Sequence, residues 1–113
     1  MEMNMTELTT VCKLEDLTPF SGTCALINGE QVALFRIDEG NTVYAIGNYD
    51  PIGKANVLSR GVIGDIEGQL VVASPLYKQH FNLITGECLQ EEGVKVPVYA
   101  VAIENGDVKV QAA

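Results

Sequence analysis

The sequence predicts an all-β domain, and three observations support this prediction. Short apolar runs recur between the turn dipeptides Asn28-Gly29, Glu67-Gly68 and Asn105-Gly106, and this alternation of strands and turns is typical of a β-sandwich or barrel. No window of about 12 residues keeps a helical spacing of apolar side chains without a glycine or proline. Near the end of the chain, Val108 and Val110 alternate with polar neighbours, which is the pattern of a strand with one face in water.

The elements follow one another with short connections. Asn28-Gly29 suits the positive backbone angles of a tight hairpin turn. Glu15 to Pro19 reads as a loop or single turn, and Pro97 is expected at the start of a strand, where its missing amide donor does little harm. Strands are expected at residues 10–14, 24–27, 31–37, 42–46, 61–65, 69–73, 81–84, 98–103 and 107–110.

Length and composition limit the classes of protein. The 113 residues suit one hydrophobic core, so we expect a single domain over residues 1–113, with residues 1–9 as a flexible tail. A net charge of −8 disfavours nucleic acid as a partner. No signal peptide or apolar stretch long enough for a membrane span is found. Three scattered cysteines form no disulfide pattern, and together these features predict a cytoplasmic protein without a membrane partner.

Two proline-containing loops stand out. Asp50-Pro51 and Ser74-Pro75 each follow an apolar, strand-like run, and two such loops can meet in space. The stretch between them is locally basic, although the protein is acidic overall. This pattern indicates either chance spacing on a solvated surface or a docking face or anion site. The three bases between residues 51 and 80 are Lys54, Arg60 and Lys78, against the acids Asp65 and Glu67.

Residue chemistry alone identifies no active site. His80 is the only histidine, and no two cysteines have the spacing of zinc or iron ligands. Cys24 or Cys88 paired with His80 is possible in principle, but both thiols lie in apolar contexts typical of structural cysteines. No glycine-rich phosphate loop is present. We therefore predict no catalytic residue and no metal ligand.

At the two loops the sequence resembles a Rieske-type domain, an antiparallel β-sandwich or barrel with two ligand-bearing loops. Asp50-Pro51-Ile52 stands where that family has Cys-Pro-His, and Ser74-Pro75-Leu76-Tyr77 stands where it has Cys-Pro-Leu-His. The resemblance extends from about residue 11 to residue 110. It implies that all four cluster ligands are replaced, by Asp50, Ile52, Ser74 and Tyr77. Because iron in these clusters is held by thiolates and imidazoles, the resemblance predicts no [2Fe-2S] cluster.

A Rieske-like domain without these ligands resembles the family of small subunits of cytoplasmic NAD(P)H-dependent nitrite reductases. The motifs that carry this resemblance lie at residues 45–51, 57–61 and 72–81. The resemblance implies an assimilatory or detoxifying enzyme that reduces nitrite to ammonium. It also implies that FAD, siroheme and an iron-sulfur cluster reside on the large subunit, so that this chain carries no cofactor and is an accessory, non-catalytic partner of that subunit.

Three hypotheses follow for the chain. In the leading one, the loops dock on the large subunit through exposed side chains. Structural roles compete with it: Arg60 pairing with Asp50, and Ile52 and Tyr77 filling the space of the cluster. The alternatives are a Rieske-type electron-transfer protein with unusual ligands and a free-standing module that binds an anion or a protein. The candidate contacts are Asp50, Lys54, Arg60, Lys78 and His80.

Overall fold

Antiparallel β-strands form nearly all of the regular structure in the computed structural model, which describes residues 8–111. Two short 3₁₀ helices, Leu14–Asp16 and Leu58–Arg60, are the helical segments of this part of the chain, and neither has the length or hydropathy to cross a membrane. The strands are β1 (Leu8–Lys13), β2 (Ser21–Ile27), β3 (Glu30–Arg36), β4 (Val43–Gly47), β5 (Tyr49–Asp50), β6 (Ala55–Asn56), β7 (Val62–Ile66), β8 (Gln69–Ala73), β9 (His80–Asn82), β10 (Val98–Tyr99), β11 (Val101–Glu104) and β12 (Asp107–Gln111).

Three sheets and one small ribbon result from the pairing. A four-stranded sheet has the order β10-β4-β3-β2, one three-stranded sheet has the order β1-β12-β11, and the other has the order β7-β8-β9. The ribbon β5-β6 lies within the connection from β4 to β7. The predicted all-β fold class is thus confirmed.

Hairpin turns occur where turn dipeptides predicted them. In the β2-β3 turn Asn28 and Gly29 have φ values of 51° and 82°, and in the β11-β12 turn Asn105 and Gly106 have 53° and 82°. Two consecutive positive φ values are characteristic of the type I′ turn, whose twist matches that of the flanking strands. Glycine and asparagine adopt such angles at low cost, so these dipeptides fix the register of both hairpins.

The structure differs from the sequence prediction in several places, apart from shifts of up to three residues at strand ends. The ribbon β5-β6 was not predicted. The strand expected at residues 98–103 is interrupted at Ala100, because β10 pairs with β4 whereas β11 pairs with β12. The turn expected within residues 15–19 begins earlier, as the helix Leu14–Asp16. Strand β1 begins at Leu8, so the last two residues of the expected tail are paired, and its first seven lie outside the described residues.

Strand β3, in the interior of the four-stranded sheet, is buried on both faces from Val32 to Phe35, which explains its continuous apolar run. Successive side chains of a strand point to opposite faces. Ala33 and Phe35 accordingly pack with Phe81 and Leu58 in one core cluster, while Val32 and Leu34 pack with β12 residues in a second cluster. The first cluster lies directly beneath the two proline-containing loops, because Leu58 belongs to the first loop and Phe81 follows the second.

The close contact between Gly86 and Val96 can be tested by substitution. Gly86 has a φ of 81°, and a Cβ atom there would collide with the main-chain carbonyl oxygen of Val96. Because both the backbone angle and the contact disfavour a side chain, Gly86→Ala should lower the free energy of unfolding by about 1–3 kcal/mol. Urea denaturation followed by circular dichroism measures the change.

Gly64→Ala is the matched control. Gly64 lies on exposed strand β7, and nothing lies within 4 Å of the position that its Cβ would occupy. We expect a change within about 0.5 kcal/mol of zero. Equal destabilisation by the two substitutions would contradict the packing described for Gly86.

Candidate functional site

Two loops with the same local backbone meet at one end of the molecule. The first loop comprises residues 48–61, between β4 and β7, and the second comprises residues 74–79, between β8 and β9. In each loop a polar residue precedes the proline, and its backbone carbonyl accepts the amide of the residue four positions later. Lys54 donates to Asp50 at 2.7 Å, and Lys78 donates to Ser74 at 3.1 Å. Both lysines have left-handed angles, with φ values of 60° and 63°. The two loops therefore share the same local turn.

A buried hydrogen bond joins the two loops. The Ser74 hydroxyl donates to Asp50 Oδ2 at 2.5 Å, and the two residues are only 1% and 0% exposed. The other oxygen, Oδ1, accepts the amides of Ile52 at 2.8 Å and Gly53 at 3.0 Å. Ser74 Oγ in turn accepts the amide of Leu76 at 3.3 Å. The carboxylate is thus held by three donors, and short bonds of this kind to an ionised acceptor are among the strong ones in proteins.

Asn48 anchors the base of the first loop, a role that the sequence analysis missed. Its side chain is 2% exposed. Oδ1 accepts the amide of Ser59 at 2.7 Å, and Nδ2 donates to Gln31 Oε1 at 3.0 Å. The Asn48 backbone amide donates to the Gln31 carbonyl, and its carbonyl accepts the amide of Leu58. A polar residue directly after the buried strand β4 was the sequence signal for this anchor.

Two glycines allow the loops to pack closely. A side chain at Gly53 would collide with the Leu76 side chain from the second loop, and one at Gly61 would collide with the carbonyl oxygen of Ala73. Leu76 therefore covers Gly53 near the tips of the loops, and the end of the first loop lies against the last residue of β8. Side-chain and backbone contacts thus connect the loops along their length.

The residues at the expected cluster-ligand positions do not fit a [2Fe-2S] cluster. Asp50 and Ser74 bond to each other, and the Ile52 alkyl side chain packs against the core. The Tyr77 side chain is 66% exposed, so the expectation that Tyr77 fills the space of the cluster is wrong. Residues 8–111 contain no group of three or more histidine, cysteine or acidic side chains arranged to hold a metal ion. Thiolates and imidazoles, the ligands such irons need, are missing from these positions.

The candidate contact residues differ in exposure. Lys54, Arg60 and Lys78 are exposed, and His80 is half-buried. The exposure expected for Asp50 is wrong, because the loop amides and Ser74 enclose its carboxylate. The side-chain hydrogen bonds of that carboxylate come from the loops themselves, and no ion pair joins it to Arg60 within the described part of the chain.

His80 is oriented by Gln90. The Gln90 Oε1 atom accepts the backbone amide of His80 at 2.8 Å, and its Nε2 lies 3.0 Å from His80 Nδ1. Because Oε1 is the acceptor in the first bond, Nε2 donates in the second, and the neutral imidazole carries its proton on the other nitrogen. The acceptor nitrogen of His80 is therefore already used, which argues against a role as general base for the buried thiol of Cys88.

Cys12 is an equally poor nucleophile. Burial raises the pKa of its thiol, and the neighbouring Asp16 carboxylate raises it further. Since the thiolate is the reactive form, both effects lower its fraction at neutral pH and disfavour a nucleophilic role.

The Asp50-Ser74 bond should stabilise the fold strongly. Asp50→Ala leaves three donors without an acceptor and should lower the free energy of unfolding by about 3 kcal/mol, and Ser74→Ala by about 2 kcal/mol. Because the two groups bond to each other, the double variant should cost about 0.5–3 kcal/mol less than the sum. Urea denaturation of the four proteins measures this coupling.

Asp65→Ala is the control for the cycle. Asp65 accepts the amide of Gly68 at 3.0 Å in an exposed turn, so its removal should cost about 1 kcal/mol or less. Additive effects of the Asp50 and Ser74 substitutions, or a cost for Asp50→Ala no larger than for Asp65→Ala, would contradict the proposed linkage.

Sequence comparisons identify the family of this domain. A family model described as a Rieske-like [2Fe-2S] domain matches residues 7–111. The nitrite reductase (NADH) small subunit of Salmonella typhimurium is 44% identical over 107 residues, which cover 95% of this chain and 99% of that protein. The nitrite reductase [NAD(P)H] large subunit of Klebsiella oxytoca is 41% identical over 100 residues, which cover 88% of this chain and 10% of that protein.

Comparison with solved structures indicates the same family. The NMR structure of the Escherichia coli protein NirD superposes with a TM-score of 0.89 at 41% identity, covering 96% of this chain and 99% of that one. The ferredoxin of carbazole 1,9a-dioxygenase from Nocardioides aromaticivorans has a TM-score of 0.79 at 28% identity, covering 94% and 98%. The chain therefore belongs to the Rieske-like domain family and, within it, to the nitrite reductase small subunits.

Proposed function

We propose that this chain is the accessory subunit of an NAD(P)H-dependent nitrite reductase, which reduces nitrite to ammonium, and that it acts by docking on the catalytic large subunit. The observation that carries this proposal is the 44% identity to a nitrite reductase small subunit over nearly the whole of both chains. Identity spread over the full length includes the surface as well as the core, so it supports a shared partner and not only a shared fold.

The Klebsiella large subunit supports association of the two components. About one tenth of that protein matches this chain, so a domain like this one is covalently part of a large subunit there. Linking two domains raises their effective concentration relative to each other and favours a contact between them. We infer that the separate chain makes a comparable contact without the link.

The proposed role does not include electron transfer through a cluster of its own. Asp50 and Ser74 satisfy each other's hydrogen bonds, and Ile52 and Tyr77 offer no imidazole. The redox groups of the enzyme, FAD, siroheme and an iron-sulfur cluster, are assigned in this proposal to the large subunit. Cys12, Cys24 and Cys88 are all unpaired, which supports a reducing, cytoplasmic location.

Nitrite-dependent NADH oxidation by the large subunit, measured with and without this chain, tests the proposal. We expect the chain to raise the activity or the lifetime of the large subunit. Arg60→Glu reverses an exposed charge in the first loop. Opposite an acidic surface of the large subunit the new carboxylate would be repelled, so the variant should weaken this effect severalfold.

Lys13→Glu, at an exposed position on strand β1, is the charge-reversal control and should leave the effect intact. If addition of the wild-type chain changes neither the activity nor the stability nor the assembly of the large subunit, the proposal fails.

Metal analysis tests the second part of the proposal. The protein should purify without stoichiometric iron or acid-labile sulfide. A chelator should leave its Tm unchanged, whereas removal of a metal bound only to the native state would lower the Tm. Stoichiometric iron together with a visible absorption band would instead favour a Rieske-type electron carrier with unusual ligands.

A further inference from the structure

We propose that the small subunit docks through a surface made of Lys54, Leu76, Tyr77 and Lys78, and that the matching surface of the large subunit is an apolar recess bordered by carboxylates. We call these four residues the docking tip. This inference rests on the proposed function and specifies which face of the chain makes the contact and what chemistry the partner supplies.

Exposed apolar area is the first argument. Leu76 and Tyr77 are consecutive in the second loop and are 44% and 66% exposed. Tyrosine is enriched among the residues that dominate binding energies, because it offers a large rigid surface with few rotatable bonds. The Tyr77 side chain contributes little to the packed interior in its outward position, so the fold itself does not explain its presence there.

Prior ordering of the loop is the second argument. The amide of Leu76 donates to Ser74 Oγ, and Ser74 is bonded to the buried Asp50. Lys78 closes the turn onto the Ser74 carbonyl. A loop already held in one conformation loses less entropy on binding, which favours affinity.

Backbone strain at two lysines is the third argument. Lys54 and Lys78 have φ values of 60° and 63°, in the left-handed region where glycine and asparagine are favoured. The protein uses asparagine at the equivalent angle in its β2-β3 and β11-β12 turns. Strain of this kind can persist where another requirement outweighs it. Phe20 and Glu67 share it outside the loops, and what distinguishes Lys54 and Lys78 is that each closes the turn of a proline-containing loop with a positively charged side chain.

Charge is the fourth argument, and it identifies the partner. The two loops contain four charged residues, and their one acid, Asp50, is buried. Every exposed charge of the loops is therefore positive, although the chain as a whole carries −8. Complementary potentials guide association and suppress wrong partners, so the rim of the recess on the large subunit should carry carboxylates.

The dissociation constant for the large subunit tests the apolar part of the tip. Tyr77→Ala should raise it about tenfold or more, as removal of a central interface tyrosine does. Phe20→Ala is the matched control, since Phe20 is 63% exposed and also has a left-handed φ, of 63°, but lies outside both loops. It should bind like wild type.

The lysines allow stability and binding to be separated. The double variant Lys54→Gly with Lys78→Gly removes both charges and also relieves the left-handed strain, so its Tm should be equal to or above that of wild type. Its affinity should nevertheless fall severalfold, and its binding should depend less on salt, because exposed ion pairs are screened by salt.

Glu67→Gly is the control for this variant. Glu67 also has a left-handed φ, of 50°, and lies in the β7-β8 turn, at the end of that hairpin away from the second loop. It should gain stability without losing affinity.

The outcomes separate this inference from the proposed function. If wild type binds the large subunit while Tyr77→Ala and the double glycine variant bind equally well, the docking tip is wrong and the proposed function stands. A loss of affinity in Phe20→Ala but not in Tyr77→Ala would likewise place the interface elsewhere. If wild type itself neither binds nor affects the large subunit, the proposed function fails.

Discussion

The buried hydrogen bond between Asp50 and Ser74 is the interaction on which the arrangement of the two loops depends. The loops leave separate strands of separate sheets, β4 with its ribbon and β8. Without a bond between them, the Ser74 hydroxyl would be buried without an acceptor and Asp50 Oδ2 without a donor, which is costly. The hydroxyl and the carboxylate satisfy each other, and the loop amides satisfy the remaining lone pairs.

This bond also explains how a Rieske-like architecture persists when the ligand residues are different. In Rieske-type domains, a cluster bound by both loops joins them. Here the Asp50-Ser74 hydrogen bond joins them at the positions that the sequence resemblance matches to the cysteines, and Leu76 packs over Gly53. The backbone of the loops is retained because backbone amides stabilise a carboxylate or hydroxyl oxygen well.

The residues expected at the other two ligand positions differ in exposure. Ile52 packs against the core, whereas Tyr77 points outward from a loop held in place by Ser74. The second loop therefore presents an exposed aromatic side chain next to Lys78 in the chain. In our proposal the small subunit contributes an ordered surface to nitrite reductase, and the redox chemistry is assigned to the large subunit.

The sequence by itself determined the features that depend on near neighbours. Alternating apolar residues and the Asn-Gly dipeptides specified the strands and hairpins, since side-chain period and backbone angle are local properties. The sequence also shows directly which residues occupy the four expected ligand positions. Only the tertiary structure decided which of them are buried: Asp50 and Ser74 are 24 residues apart and meet only when the sheets pack. The same packing leaves Tyr77 exposed, makes Asn48 the anchor of the first loop and divides the predicted strand 98–103 at Ala100. Burial and the choice of sheet partner depend on contacts between distant parts of the chain.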